Sequence, residues 1–349
     1  MLVLAAFVLG LVVGSFLNVV IHRLPRGESV VFPPSRCPHC GTRLGPAELV
    51  PVASYLVQRG RCRHCGRPIS PRYPLVELLT GLLFAYAAWR LGLSPELPFA
   101  WVFLALLLAL SFIDIDHYLL PDSLTYGGLF LGLLAAALFG RWREALEGAL
   151  LAAGLLVLIG EYGALVLRRF RDARPTWPVG FHQVGLAALV GAFGVLPGLA
   201  AGVLNWGLNW VFRRALYLPL WLTLSLLPVA LLLSPLGSID ALKGALAAAG
   251  AMALLGGLYW AFLPEDEEED DEPVALGFGD VKLAGMLGAW TGFASFLFGL
   301  FVAVFAGAFL GVLFRRRKLP FGPYLALGGV VAYFHGPALV EAYFRLIGW

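Results

Sequence analysis

Charge is scarce in this chain. Asp, Glu, Lys and Arg together supply 13% of its 349 residues against 60% hydrophobic ones, with a mean hydropathy of +0.82, whereas a soluble domain carries about 25% charged and 45–50% apolar residues. That shortage excludes an ordinary soluble domain and points to a polytopic membrane protein. Cysteine is scarce too. All four lie in one polar loop, as Cys37/Cys40 and Cys62/Cys65, a spacing that favours metal ligation over a disulfide framework. The amino-terminal apolar run lacks both the charged n-region and the small-residue cleavage site of a signal peptide, so it reads as a retained first span. No glycine-rich fingerprint on a strand-to-helix turn is present, and no residue is thereby marked for a cofactor.

What the chain has in abundance is apolar segments of membrane-crossing length, which must be helical because backbone groups in lipid find no outside partner. After residues 1–22 they fall at about 75–92, 98–113, 123–140, 145–167, 183–196, 198–212, 216–233, 241–263, 282–296, 297–314 and 321–345. The expectation is an all-α polytopic membrane protein of about twelve transmembrane helices. Residues 23–74 form the only sizeable polar domain, with nine arginines against Glu28 and Glu48, which places that loop in the cytoplasm. Alternation then puts nearly every basic cluster inside, "RRRK" at 315–318 among them. "GRWRE" at 140–144 is the exception.

An internal parallel repeat underlies the spans. "EALEGALLAAG" at 144–154 recurs as "DALKGALAAAG" at 240–250, "GFHQVGLAALVGA" at 180–192 as "GFGDVKLAGMLGA" at 277–289, and "LLPDSLT" at 119–125 as "YLPLWLT" at 217–223. The unit is roughly 97 residues long. Its chemistry is unequal: Asp280 faces Gln183, Lys282 faces Gly185, and Asp114 faces Phe212. The expected division is a first helix at 1–22, the loop domain at 23–74, helices at 75–113, one repeat copy at 114–211 carrying Asp114, a second at 212–309 carrying Asp280, and a basic loop with a last helix at 310–349.

Three stretches carry chemistry. In "GFGDVKLAG", Gly277 and Gly279 are expected to take backbone conformations closed to other residues where Asp280 and Lys282 meet the membrane face. A charge deep in a span costs about 2.5–3.5 kcal/mol on insertion scales, so a retained one is a functional candidate; the plainer alternative is an Asp/Lys pair that ends a helix. In "SFIDIDHYLLPDSLT", Asp122 or Ser123 looks like a helix N-cap and Asp116 beside His117 a solvated loop pair, while Asp114 abuts its apolar span at the depth expected of Asp280. Two such carboxylates suit a dyad, one ionised to activate water and one protonated to polarise a carbonyl. The third stretch holds two C-x-x-C knuckles, four soft ligands that fill a tetrahedral zinc shell and leave no open position for catalysis. His39 and His64 are expected to be exposed rather than ligands, and Asn18 and His22 to be a packed helix end. The run "EDEEEDDE" at 265–272 reads as a solvated loop, with attraction of a basic substrate as the alternative.

Together "GSFLNVVIHRLP" at 14–25, the four-cysteine loop, "IDIDHYLLPDSLT" and "GFGDVKLA" resemble the bacterial type IV prepilin peptidases, bifunctional leader peptidases and N-methyltransferases of the Gly-x-Gly-Asp aspartic class. The resemblance implies that Asp114, eight residues before the Asp that follows the proline, and Asp280 are the catalytic pair. Gly277, Gly279, Lys282, Asp116 and Asp122 would support them, with structural zinc on Cys37, Cys40, Cys62 and Cys65. It also implies cleavage of the basic leader of type IV prepilins and pseudopilins at the cytoplasmic face of the bacterial inner membrane, then methylation of the new amino terminus from S-adenosylmethionine. Membrane lipid is the other expected partner, and nucleic acid is not one. The family has about eight spans, so this chain carries four more. Rival readings are a non-catalytic pilin-binding scaffold and a transporter built on parallel repeats; the surviving Asp114 and Asp280 speak against the first, and the unequal copies against the second.

Overall fold

The computed structural model describes residues 1–169, 176–263, 276–314 and 319–348. The acidic run at 265–272 and "RRRK" at 315–318 lie outside them. Among the described residues the regular elements are all helical: α1 (Leu2–Arg23), α2 (Ala53–Val57), α3 (Arg72–Leu91), α4 (Leu97–His117), α5 (Asp122–Leu138), α6 (Trp142–Leu167), α7 (Phe181–Gly191), α8 (Val195–Phe212), α9 (Leu220–Leu233), α10 (Ser238–Ala261), α11 (Phe278–Thr291), α12 (Phe293–Phe314) and α13 (Gly322–Leu346).

Each of the twelve expected segments is helical, but among the described residues eight helices are long and apolar enough to cross a membrane: α1, α3, α4, α6, α8, α10, α12 and α13. The other four are shorter. At 14 residues, α11 rises about 21 Å, well under a hydrocarbon core of about 30 Å. Its end explains why hydropathy misplaced the boundary. Gly292 breaks the helix at φ +73° inside an apolar run that continues unchanged into α12, and Gly194, at φ +137°, does the same between α7 and α8. Composition does not register a glycine hinge of this kind.

The chain divides into two units, Met1–Leu124 with Ala306–Val330, and Thr125–Phe305 with Val331–Trp349. In the first, α1 and α3 lie backbone to backbone. A β-carbon built on Gly10 would fall 2.7 Å from the Gly81 Cα, and one on Gly14 2.7 Å from the Glu77 Cα, the close approach that small residues four apart permit in lipid. Leu17 and Ile21 of α1, Val76 of α3, and Ala109 and Ile113 of α4 close a buried core beside them. The second unit is centred on α6 and α10. Their most apolar windows are 61% and 72% buried, against 17% for α8 and for α12, so α6 and α10 face protein while α8 and α12 present their sides outward. Helix α11 lies along α6, and α7 along α10 and against α8 and α9.

Candidate functional site

The cysteine loop is built from two copies of one turn. Cys37 N donates to Thr42 O at 2.9 Å and Gly41 N to Cys37 O at 2.9 Å; Cys62 N donates to Arg67 O at 2.8 Å and Gly66 N to Cys62 O at 2.9 Å. Gly41 and Gly66 both adopt a left-handed backbone, at φ +70° and +69°, which an L side chain would resist. The turns point all four sulfurs inward, within 4.8 Å of one another, and none is in a disulfide. Cys37 Sγ and Cys65 Sγ stand 3.9 Å apart, close to the edge of about 3.8 Å that four sulfurs at 2.3 Å from a tetrahedral ion define. This group can hold a metal ion. Thr42 Oγ1, 3.3 Å from Cys40 Sγ, together with the Thr42 backbone, holds the Cys40 thiol down at about 6, and the N–H groups of Cys65 and His64 lower Cys62, favouring the thiolate that binds metal at these two positions. Against the pull of the Arg67 backbone, burial and the three neighbouring sulfurs push Cys65 up to about 11. His39 is exposed, and His64 turns its Nε2 to Glu48 Oε1 at 3.2 Å; neither belongs to the cluster.

The loop is fastened to the spans by Glu77, a buried carboxylate on α3 whose Oε2 accepts the Val52 N–H at 2.7 Å. A cavity of about 380 Å³ lies between loop and helices, with Asn18, His22, Glu48, Tyr55, Tyr73 and Glu77 on its wall. A second cavity of similar size, lined also by Arg26, Arg72, Asp116 and His117, shares Asn18, His22, Ser70 and Tyr73 with it. Sequence reasoning left Glu77 unremarked because it reads as one acid in an otherwise ordinary apolar helix.

Asp114 is 6% exposed. Its Oδ2 accepts the Gly322 N–H at 2.9 Å, so the amino-terminal turn of α13 caps the carboxylate across 208 residues of sequence. A β-carbon at Gly322 would stand 2.7 Å from that oxygen, and only glycine lets the helix start so close. Nothing in the motif signals this partner. Asp116 and His117 are exposed, but they do not form the expected loop pair. Helix α4 continues through both and ends at Tyr118, left-handed at φ +52°. Asp116 is held there by the Arg72 guanidinium, which also donates to Phe112 O at 3.2 Å and lies 5.1 Å from the Phe112 ring centroid. Asp122 is inside the first turn of α5, after Pro121, rather than ahead of it.

Asp280 is half-buried in the first turn of α11, with its N–H on Gly277 O at 3.0 Å. The two motif glycines do not do what was expected of them. Gly277 sits at φ −66°, ψ 142°, ordinary extended backbone, and Gly279 is helical. A β-carbon on Gly277 would meet only Asp280 Oδ2, at 3.4 Å. Lys282 projects between two rings, its Nζ 5.5 Å from the Phe278 centroid and 5.9 Å from that of Tyr126, within cation–π range. Tyr126 is itself fixed by donating to Leu254 O at 3.0 Å. It lies just past the aspartate motif, and no sequence signal ties it to Lys282, 156 positions on. Asp114 belongs to the first unit and Asp280 to the second.

A helical membrane chain with a four-thiol knuckle domain and a buried, capped carboxylate is the class these observations define. The sequence matches the bacterial peptidase A24 N-terminal domain over residues 8–91 and the type IV leader peptidase family over residues 101–208 and again over 213–312. The chain belongs to the type IV leader peptidase family. Among curated relatives, the prepilin leader peptidase/N-methyltransferase of Myxococcus xanthus is 41% identical over 263 residues, covering 66% of this chain and 78% of the relative. The protein of the same description from Stutzerimonas stutzeri is 30% identical over 375 residues, covering 98% and 94%, and that from Pseudomonas aeruginosa 29% over 379, covering 99% and 95%. No solved structure gives a significant match.

Proposed function

We propose that this chain is an aspartic endopeptidase of the bacterial inner membrane that removes the basic leader of type IV prepilins and pseudopilins at the cytoplasmic face and methylates the amino terminus it exposes. The observation that carries the reading is the family match, which covers residues 8–91, 101–208 and 213–312 and takes in the cysteine knuckles, Asp114 and Asp280. Asp114 and Asp280 are the proposed catalytic carboxylates. One, ionised, takes a proton from water as the oxygen adds to the scissile carbonyl; the other, protonated, stabilises the tetrahedral intermediate and gives its proton to the departing amine. The C–N bond breaks without an acyl-enzyme. The fit between the burial of Asp114, its single backbone donor and the need for a carboxyl group that can change protonation state supports its part in this.

The ion proposed for Cys37, Cys40, Cys62 and Cys65 is zinc, whose four-sulfur shell their spacing fits. It is structural. The cavity beneath the knuckles is the proposed place for S-adenosylmethionine; the acids Glu48 and Glu77 and the aromatic residues Tyr55 and Tyr73 on its wall support that reading, as suited to a cationic ligand that carries a base. Once bound, it supplies an electrophilic methyl group; Asn18 and Tyr73, which both cavities share, would orient the amine that receives it. The twelve helices are read as eight full spans and four shorter ones in a duplicated arrangement, with copies at 114–211 and 212–309, a division that the double match to one family description supports.

The test is incubation of the purified full-length protein with a prepilin and S-adenosylmethionine, followed by mass measurement of the product. Loss of the leader with gain of one methyl group is expected. A prepilin of unchanged mass would refute the activity, and a shortened product lacking the methyl group would refute its second half.

A further inference from the structure

The second unit has an internal two-fold relation that sequence offsets alone do not reveal. Helices α6 and α10 are equivalent at an offset of 96, and α7 and α11 at 97. If each copy packed within itself, α6 would hold α7 and α10 would hold α11. The contacts run the other way, α11 on α6 and α7 on α10. They do so through equivalent residues. A β-carbon on Gly148 of α6 would stand 2.3 Å from the Gly288 carbonyl oxygen of α11, and one on Gly244 of α10 2.3 Å from the Gly191 carbonyl oxygen of α7; Gly148 corresponds to Gly244, and Gly288 to Gly191. Likewise Gly160 faces Leu276 at 3.3 Å and Gly256 faces Val179 at 3.4 Å.

Where α6 crosses α10, Gly154 meets the Leu246 carbonyl oxygen at 1.9 Å from its built β-carbon and Gly250 meets that of Leu150 at 2.0 Å, again equivalent pairs. Phe181 and Phe278, equivalents of each other, touch edge to face with centroids 5.9 Å apart. A residue that contacts its own counterpart lies on a symmetry axis. The four helices thus form an intertwined pair rather than two helical hairpins in sequence.

We propose that the two copies have exchanged their second-motif helices, so that Asp280 is positioned by α6 of the first copy, with Gly148 and Gly160 as its positioning residues. The exchanged half is its silent counterpart. There Gln183 is fully buried and spends its side chain on its own helix start, accepting the Gly180 N–H at 2.8 Å and donating to Pro178 O at 3.3 Å. Gly244 and Gly256 therefore position a helix that carries no carboxylate at the motif position. The inference rests on the reading of Asp280 as catalytic, and it contains its own control: the same steric insult can be delivered on either side of the axis.

The experiment compares Gly148→Ala with Gly244→Ala in the full-length protein, measuring prepilin cleavage and backbone hydrogen exchange together. Gly148→Ala should lower kcat by about 100-fold, the cost of misplacing a reacting group by about an ångström, with KM within about twofold and exchange accelerated in 278–291. Gly244→Ala should accelerate exchange in 181–191 and leave kcat within about twofold of the parent. If Gly148→Ala does not insert, the milder pair decides, with Gly160→Ala losing activity several-fold and Gly256→Ala keeping it. Exchange rising in 181–191 for Gly148→Ala would overturn the helix exchange itself. Equal losses of activity on both sides would overturn the positioning role. Full activity of Asp280→Asn, with the exchange pattern as expected, would instead strike down the catalytic reading and leave the exchanged packing standing.

Discussion

At the scale of single residues, the two aspartates of "IDID" have different fates. Asp114 is buried against the first turn of α13, whereas Asp116 lies in the open beside Arg72, each partner with 31% of its side chain accessible. Replacing Asp116 with Asn should therefore cost about 0.2–1 kcal/mol of stability and leave prepilin cleavage within a few-fold of the parent, as thermal unfolding and a cleavage assay on one preparation would register. Gly322→Ala is the sharper probe. Its β-carbon would fall 2.7 Å from Asp114 Oδ2, so the carboxylate or the helix start must shift. Cleavage should fall about tenfold or more in a protein that still inserts. Cleavage at the parental rate would show that the Gly322 N–H does not hold Asp114 in its working position.

At the scale of elements, the cysteine loop was legible almost whole, because two C-x-x-C pairs specify their own turns and a single ligand geometry. Serine at Cys62 should empty the cluster of metal and loosen residues 23–74, since metal binding here is folding energy, on the order of 10–16 kcal/mol in isolated zinc modules. Metal analysis alongside limited proteolysis would check this. Residual cleavage should persist, because four sulfurs leave the ion no open position; complete loss of cleavage in a variant whose spans remain intact would put the loop in the chemistry. The helices were legible as apolar runs, but their lengths were not. Gly194 and Gly292 interrupt α7/α8 and α11/α12 by a backbone rotation that changes hydropathy hardly at all, and α4 carries its polar tail Asp114 to His117 as helix because Arg72 and Gly322 meet it. Those partners come from distant sequence, where no local pattern announces them. The same holds for Tyr126 beside Lys282.

At the scale of the whole molecule, the proposed repeat rests on letters that say nothing of packing, since offsets name the helices that would be equivalent and not the ones that touch. The arrangement leads to a deletion. Removing Tyr126 to Thr223 takes out 98 residues, joins Thr125 to Leu224 at equivalent points and leaves a chain of 251. It discards α6 and α7 but keeps α10 and α11. Gly244 already presents to Gly191 the surface that Gly148 presents to Gly288, so α10 can receive α11 in place of α6. Prepilin cleavage should survive at reduced stability, as a proteoliposome assay would show; a hybrid that inserts with correct topology yet does not cut would show that α10 does not take the place of α6 in holding α11.

The most direct test is the cleavage rate of Asp114→Asn and of Asp280→Asn, each measured on membrane-inserted protein. An asparagine keeps the shape of the side chain and removes its capacity to exchange a proton, and a dyad needs both carboxyl groups in complementary states. Each variant should still bind prepilin, and neither should release a leader. Cleavage at a rate near the parent's by either one would contradict the dyad.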